Sequence, residues 1–377
     1  MNDLYPPTPP LDSAEHRAFR DTVRRFVADE VAPHHAQWER DGQVPRSLWR
    51  RAGDLGLLCL TMPEAYGGAG ADFGFAAIVV EEMARAGASG PLFYLHSDIV
   101  APYLLHYGSE AQKRHWLPRM ARGETIGAIG MTEPGAGSDL ASIRTRAELH
   151  GEHWRIDGQK IFISNGQIAD LLLLAASTDP ARGAHGVSLL LVDTDRPGFT
   201  RGRRLDKLGM HAQDTSELFF DDLRVPRDHL LGEAGAGFRY MMAELPQERL
   251  LVAITAVAAM EAAVGWTRDH VLQRHAFGTP LADRQVIRHR LADLHANTIV
   301  ARSFLNDCLA RHIAGRLDAA TASVAKFWTT ELQFSVLDQC LQLFGGYGYM
   351  REYPIARAWA DARVQRIYGG TTEIMKE

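Results

Sequence analysis

Apolar positions in the first third of the chain recur at helical spacing. Phe19, Val23, Phe26 and Val27 form one stripe behind Ser13, a residue type that caps helix N-termini. Residues 76–86 and 109–120 carry the same period. Asp41-Gly42 and Gly67-Gly68-Ala69-Gly70 interrupt it as loops, so residues 13–122 read as helical. Near residue 124 the pattern changes to short apolar or alternating runs: Ile126 to Met131, Trp154 to Ile156, Lys160 to Ile163, Leu171 to Ala175, Val187 to Val192, Ser216 to Phe220 and Leu223 to Val225. Asp157-Gly158, Asn165-Gly166 and Pro197-Gly198 punctuate these runs as turns, which predicts antiparallel β structure to about residue 226. From about residue 237 the helical period returns, with Leu250, Ile254 and Val257 at i, i+4 and i+7. Residues 281–314 and 318–343 continue as long helices. Helix, then strand, then helix predicts an α+β chain with a segregated β segment rather than alternating α/β. The boundaries fall at 1–123, an N-terminal α-helical domain, 124–235, a middle β domain, and 236–377, a C-terminal helical domain. There is no internal repeat and no low-complexity tract.

Composition narrows the function classes. The 377 residues are 46% hydrophobic and 23% charged, ample for a core and of a length suited to two or three domains. A formal net charge of −5 offers no bulk attraction to phosphate backbones, so nucleic acid is not an expected partner. The first residues lack a basic segment followed by an apolar one, which predicts no signal peptide. The chain reads as free of a twenty-residue apolar run, which predicts no membrane span. Cys59, Cys308 and Cys340 are widely spaced, contain no CxxC pair and form no disulfide framework. They fit a reducing cytoplasm, and the abundance of Ala and Arg over Lys points to a bacterial source. His34, His35, His96, His211 and His289 show no metal-ligand spacing and read as surface or packing residues; no metal is expected.

Two segments carry candidate chemistry. Gly135-Ala136-Gly137-Ser138-Asp139-Leu140 begins like a dinucleotide fingerprint, but its sixth position is Leu and it lies in a β region, so a Rossmann site is excluded. On its own this stretch is also an ordinary glycine-rich turn. Glu248 shares a helix face with Leu251, Val252, Thr255 and Ala259, a mostly apolar surface on which a carboxylate is desolvated. Taken alone, it reads rather as one half of a surface ion pair in an ordinary first turn of a helix.

Four stretches taken together resemble the acyl-CoA dehydrogenase family: Thr132-Glu133-Pro134-Gly135-Ala136-Gly137-Ser138-Asp139, Leu245-Pro246-Gln247-Glu248-Arg249-Leu250-Leu251, Gln342-Leu343-Phe344-Gly345-Gly346-Tyr347-Gly348, and Ile367-Tyr368-Gly369-Gly370-Thr371-Thr372-Glu373. Glu352, Arg357 and Asp361 follow the third at the family spacing. The resemblance covers essentially the whole chain and is nearest the long-chain branch. It implies an N-terminal helical domain, a middle antiparallel β-barrel-like domain and a C-terminal four-helix bundle. It also implies FAD as cofactor, a homotetramer built as a dimer of dimers, and electron-transferring flavoprotein as electron acceptor in fatty acid β-oxidation.

The same resemblance implies roles residue by residue. Most of the family places its base where Gly369 stands; the long-chain and isovaleryl branches place it where Glu248 stands. Glu248 is then the base that takes the α-proton of an acyl-CoA thioester, and the Gly369 N–H faces the thioester oxygen. Ile129, Met131, Thr132, Gly137, Ser138, Phe162, Ile163 and Ser164 would meet the flavin. Arg274, Phe277 and Gln285, with Gln342, Leu343, Gly345 and Gly346 from a neighbouring subunit, would hold the pyrophosphate and adenosine. Thr371 and Glu373 would lie near the phosphates. Ser138, Ala184, His185, Arg239, Pro246, Gln247, Arg249, Gly369 and Gly370 would contact substrate. Three departures from the family pattern stand out: Leu92 follows Pro91 where long-chain members carry a small residue, Arg239 replaces an aromatic residue, and the chain ends at Glu377, short of the usual last turn, which predicts a trimmed C-terminus. Leu92 predicts a shortened or reshaped acyl pocket. The competing readings are the same desaturation on an acyl-carrier-protein thioester, a flavin oxidase or monooxygenase, and a non-catalytic flavoprotein.

Overall fold

Ser13 caps the first helix: its hydroxyl accepts the His16 N–H at 3.1 Å and opens α1 (Ala14–Phe26). The structure, a computed structural model, describes residues 4–377. The remaining N-terminal helices are α2 (Ala32–Asp41), α3 (Arg46–Asp54), α4 (Phe73–Arg85), α5 (Ala101–Tyr107) and α6 (Glu110–Ala121). Ser109 and Gln112 close a capping box at the head of α6. Two wide π-helical turns, Val27–Val31 and Leu95–Val100, were invisible to the periodicity. Each runs into a proline in the first turn of the next helix, and that proline supplies no N–H to the turn before it.

The middle segment holds β1 (Gly127–Gly130), β2 (Arg146–His150), β3 (His153–Ser164), β4 (Leu171–Ser177), β5 (Val187–Asp193), β6 (Phe199–Arg204), β7 (Thr215–Pro226) and β8 (Leu230–Leu231). Their order is β6-β7-β3-β2-β4-β5-β8, with β1 also beside β4. Two expectations need correction. The sheet is not wholly antiparallel, because β1 runs parallel to β4, Gly127 opposite Leu171 through Gly130 opposite Leu174. Asp157-Gly158 is no turn. β3 is flanked by β2 on one side and β7 on the other, and this double pairing keeps it extended through the dipeptide. The pair is absorbed as a bulge in which Gly158 adopts φ 147° and a Cβ would stand 2.7 Å from Thr145. Trp154, Ile156, Ile163, Leu172, Leu190 and Leu223 fill a core of the sheet's own.

The C-terminal part comprises α7 (Gly237–Gln273), a hairpin of β9 (His275–Ala276) and β10 (Thr279–Pro280), α8 (Gln285–Ile313), α9 (Ala319–Phe344), α10 (Pro354–Ala362) and α11 (Thr372–Lys376). α7 packs against α4, α8 and α9. Contrary to the sequence reading, α7 is long and apolar enough to cross a bilayer, but 72% of its most apolar window is buried inside the fold. Leu250, Leu251, Ile254, Val257 and Met260 are fully enclosed, so its apolar surface belongs to the core of the bundle.

A buried ion network ties the N-terminal helices to this bundle. Glu81 of α4 accepts from Arg20 of α1 at 2.8 Å and pairs with Arg302 of α8; Glu261 of α7 takes Arg302 and Arg85 at 2.7 Å each. Burial pushes the Glu81 carboxyl up, but Arg302, Arg85 and Arg20 outweigh it and hold it at about 2. A depressed pKa contributes stability that is fully present above the unfolded value near 4.5 and is lost as pH falls towards 2. Arg302→Met takes one cation away from two buried carboxylates, leaving Glu81 with Arg20 and Glu261 with Arg85. It is expected to cost about 3–5 kcal/mol in chemical denaturation at pH 7 and to cost less near pH 3, where Glu81 is protonated in the unfolded chain.

Candidate active site

Glu248 stands on the fourth turn of α7, two residues after Pro246, which has no N–H to offer the Met242 carbonyl. Its Oε1 accepts the Tyr103 hydroxyl at 3.1 Å, and Tyr103 is completely buried in α5. Desolvation raises the carboxyl to about 7; the Tyr103 hydrogen bond and Arg249 oppose the rise, and Glu244 adds to it. Glu248 keeps partial surface exposure, so it forms the wall of an opening rather than a sealed core position. Along the same helix face, Thr255 and Ala259 line a narrow cavity of about 70 Å³ whose other walls include Pro91, Leu92, Tyr94 and Tyr368. The helix face read from the sequence therefore carries Glu248 and, further on, Thr255 and Ala259 in the wall of an apolar cavity.

The neighbours of Glu248 on α7 are occupied by protein partners. Glu244, one turn earlier, accepts from His106 Nδ1 at 2.8 Å. Gln247 donates to the Asp98 carbonyl at 2.6 Å, and its oxygen meets His312 Nε2 at 2.9 Å, so both ends of its amide are taken. Arg249 donates to Ser323 of α9 at 2.9 Å.

Gly369 and Gly370 form the turn before α11, at φ 66° and 95°. L side chains rarely adopt that region, and glycine enters it freely. A Cβ on Gly369 would meet only Val252, at 3.9 Å, so the turn faces α7 one helical turn beyond Glu248. Thr371 caps α11, and Glu373 lies exposed in its first turn.

The sheet contributes a third wall. The Thr132 carbonyl accepts the Ile161 N–H at 3.0 Å, which places Thr132 beside the strand that carries Phe162, Ile163 and Ser164. Phe162 has φ 61° and is 63% exposed, an aromatic ring held in a costly backbone conformation at a strand irregularity and turned outward. Behind it a buried pair fixes the loop: Lys160 Nζ reaches Glu133 at 2.7 Å and the Met131 carbonyl at 2.9 Å, and Glu133 accepts the Arg144 and Thr145 N–H groups. Ile129 and Met131 are half-buried and Ile163 is buried, whereas Gly137 and Ser138 are exposed on the loop. Ala184 and His185 lie on the 3₁₀ segment before β5. Arg239 is exposed, 3.6 Å from Glu233 and over the Tyr240 ring.

Arg274 and Gln342, Leu343, Gly345 and Gly346 of the same protomer line one open cleft with His270, Arg290 and Tyr347. Arg274 sits over the Tyr347 ring at 5.4 Å. Phe277, 94% exposed, and Gln285 stand outside that lining. An outward ring at Phe162, hydroxyls at Thr132 and Ser164 and guanidiniums beside a glycine-rich turn supply the donor set that a flavin with a pyrophosphate tail needs.

Tyr103, Glu244 with His106, and Lys326, whose ammonium donates to the Gly370 carbonyl, were missed from the sequence. Tyr103 and Glu248 are 145 positions apart, and nothing local to Tyr103 signals the contact.

Comparison with known proteins agrees with this arrangement. Residues 13–124, 128–223 and 235–377 match the N-terminal, middle and C-terminal domains of acyl-CoA dehydrogenase. The chain is 54% identical over 367 residues to the mitochondrial long-chain specific acyl-CoA dehydrogenase of Sus scrofa, covering 97% of this chain and 85% of that one. It superposes on the crystal structure of acyl-CoA dehydrogenase from Geobacillus kaustophilus with TM-score 0.96 at 47% identity, covering 98% of both chains. A glutaryl-CoA dehydrogenase from Mycobacterium smegmatis in complex with FADH2 gives TM-score 0.91 at 29% identity over 97% of this chain and 93% of that one.

Tyr103→Phe deletes one hydrogen bond to the charged form of Glu248. It is expected to raise the carboxyl pKa by about one unit, since such a bond is worth about 1.5–3 kcal/mol and one unit is about 1.4 kcal/mol. Infrared difference titration of the carboxyl band checks this, and an unmoved or lowered titration contradicts the geometry.

Proposed function

The chain belongs to the acyl-CoA dehydrogenase family, and from that premise we propose how its own residues desaturate an acyl thioester. It is an FAD-dependent oxidoreductase, and the cofactor when bound supplies the acceptor for the hydride that leaves the substrate β-carbon. The observation that carries the reading is a carboxylate raised to about 7 on α7, one helical turn from the residue that the glycine turn at 369 faces. Glu248 removes the α-proton. A base poised near neutrality is ionised often enough to act and basic enough to accept a weakly acidic C–H. The Gly369 N–H donates to the thioester oxygen, where negative charge builds as the proton leaves. Without a side chain at 369, the thioester approaches that amide closely. The product is the trans-2-enoyl thioester.

The remaining roles follow the family resemblance. Thr132 and Ser164 hydrogen-bond the isoalloxazine ring and Phe162 packs on it, with Ile129, Met131, Gly137 and Ile163 completing the wall. Arg274, Phe277 and Gln285, with the 342–346 segment of a neighbouring subunit, hold the pyrophosphate and adenosine; Thr371 and Glu373 lie beside the phosphates. Ser138, Ala184, His185 and Arg239 meet the CoA portion. Gln247 and Arg249, whose polar groups are engaged by Asp98, His312 and Ser323, support the helix turn that carries the base. The outward apolar side chains Phe277 and Val286, 94% and 65% exposed, suit burial against neighbouring copies in a dimer of dimers. Electron-transferring flavoprotein accepts the electrons.

Leu92 limits the acyl chain. Its side chain lines the narrow cavity together with Met83, Phe93 and Trp266, which favours medium-length or branched acyl groups.

Glu248→Gln is expected to keep FAD bound and to slow flavin bleaching by acyl-CoA about 10²–10⁴-fold in anaerobic titration; bleaching at the parent rate would falsify the base assignment. Leu92→Ala is expected to shift the kcat/KM profile towards longer chains, by about tenfold for the longest relative to the best medium-length substrate. A parent enzyme that already prefers the longest chains defeats the pocket reading.

A further inference from the structure

Glu248 and the Gly369 amide lie on different elements, α7 and the turn before α11, more than a hundred residues apart in sequence. Both are tied to one turn of α9. Ser323 and Lys326, at i and i+3, share a face of that helix. Ser323 Oγ donates to the Ala319 carbonyl at 2.7 Å, which orients the hydroxyl and leaves its lone pairs for the Arg249 Nη1 donor at 2.9 Å. Arg249 is the residue next to Glu248 on α7. One helical step further on, Lys326 Nζ donates to the Gly370 carbonyl at 2.5 Å.

Lys326 is fully buried, and burying an ammonium is costly unless its contact has a use. Burial first and the Arg249 charge second pull it down to about 8; Glu331 and Glu373 oppose that fall. Two cations packed side by side repel one another, and a fold indifferent to the glycine turn would be better served by an apolar residue at 326. Glu331, further along α9, accepts from Arg366 and Thr372 on either side of the turn. Among the described residues, only Lys326 makes a side-chain hydrogen bond to the turn itself.

We propose that Ser323 and Lys326 are positioning residues that set the distance between base and oxyanion donor, Ser323 through Arg249 and Lys326 through the Gly370 carbonyl. The inference rests on the roles given to Glu248 and Gly369 above. Neither side chain touches the reacting atoms. Each restrains a backbone segment that does, and a displacement of about 1 Å is enough to cost up to about a hundredfold in rate.

The test compares Lys326→Met and Ser323→Ala with the parent holoenzyme in four readouts: flavin content, affinity for acyl-CoA, rate of flavin reduction, and the long-wavelength charge-transfer band given by a 3-thiaacyl-CoA. That ligand loses its α-proton to the base but has sulfur at the β position and passes on no hydride, so the band reports enolate stabilisation alone. Lys326→Met is expected to keep FAD, bind acyl-CoA within about threefold of the parent, require a higher pH for the band, and reduce flavin about tenfold to a hundredfold more slowly. Ser323→Ala is expected to slow reduction about threefold to tenfold with binding unchanged. A Lys326→Met enzyme whose band and rate stay within about twofold of the parent overturns the proposal. If that variant sheds its flavin, Ser323→Ala decides: a parent-like rate overturns the proposal, and a slowed rate with full flavin upholds it. Glu248→Gln keeps the two readings apart. An active Glu248→Gln enzyme sinks the base assignment, whereas an inactive one beside an unaffected Lys326→Met sinks only the role of α9.

Discussion

The site depends on the burial of one face of α7. A carboxyl group next to bulk water keeps its ordinary acidity, and only removal of water from around it moves it towards neutrality. On α7 that removal is done by helices packed on several sides: Leu250, Leu251 and Val252 are enclosed beside Glu248, and Tyr103 of α5 closes over it from the N-terminal domain. The raised pKa of Glu248 is thus made by contact between the two helical regions. The buried network of Glu81, Arg302, Glu261 and Arg85 fastens the same two regions together. Its charges are costly to bury, and their geometry holds α4, α7 and α8 in one arrangement rather than in the family of slid arrangements open to a purely apolar interface.

Two opposing effects set the behaviour of Glu248. Full desolvation with no donor would push its carboxyl further up and leave too little of the ionised form at neutral pH. Tyr103 gives the ionised form one hydrogen bond, and Arg249 adds a favourable charge from the next residue. Glu244 acts the other way, and its charge is shared with His106. The result near 7 is a balance between burial and a small number of polar contacts, so each of those contacts is a point at which the acidity is adjustable.

How much of this was legible in the sequence follows from where the information sits. The helical stripe through Phe19, Val23 and Phe26, the cap at Ser13, and the face shared by Glu248, Thr255 and Ala259 are local patterns, and the structure keeps them. Asp157-Gly158 misled because turn propensity is also local, whereas the double pairing of β3 that overrides it involves residues 146–150 and 215–226. The direction of β1 was not legible, because a short apolar run has no direction until its partner is known. α7 looked unremarkable for membrane length because polar residues such as Glu261 and Thr267 interrupt its apolar run, and their burial against arginines and backbone becomes visible only in three dimensions. Glu248 stands out from its motif, but Tyr103 and Lys326 carry no motif and reach the site only through packing.

On the proposed reading one carboxylate suffices, and a second at 369 would work against it. Position 369 looks onto Val252, one turn along α7 from Glu248 and on the same face. A glutamate there would bring a second carboxyl towards the first, and two like charges close together in a water-poor setting cannot both be ionised. Glycine at 369 removes the conflict and tolerates the positive φ that the turn needs. In the proposed division, base and oxyanion donor reside on separate elements: a buried helix would handle the proton, and an open backbone turn would meet the charge that builds on oxygen.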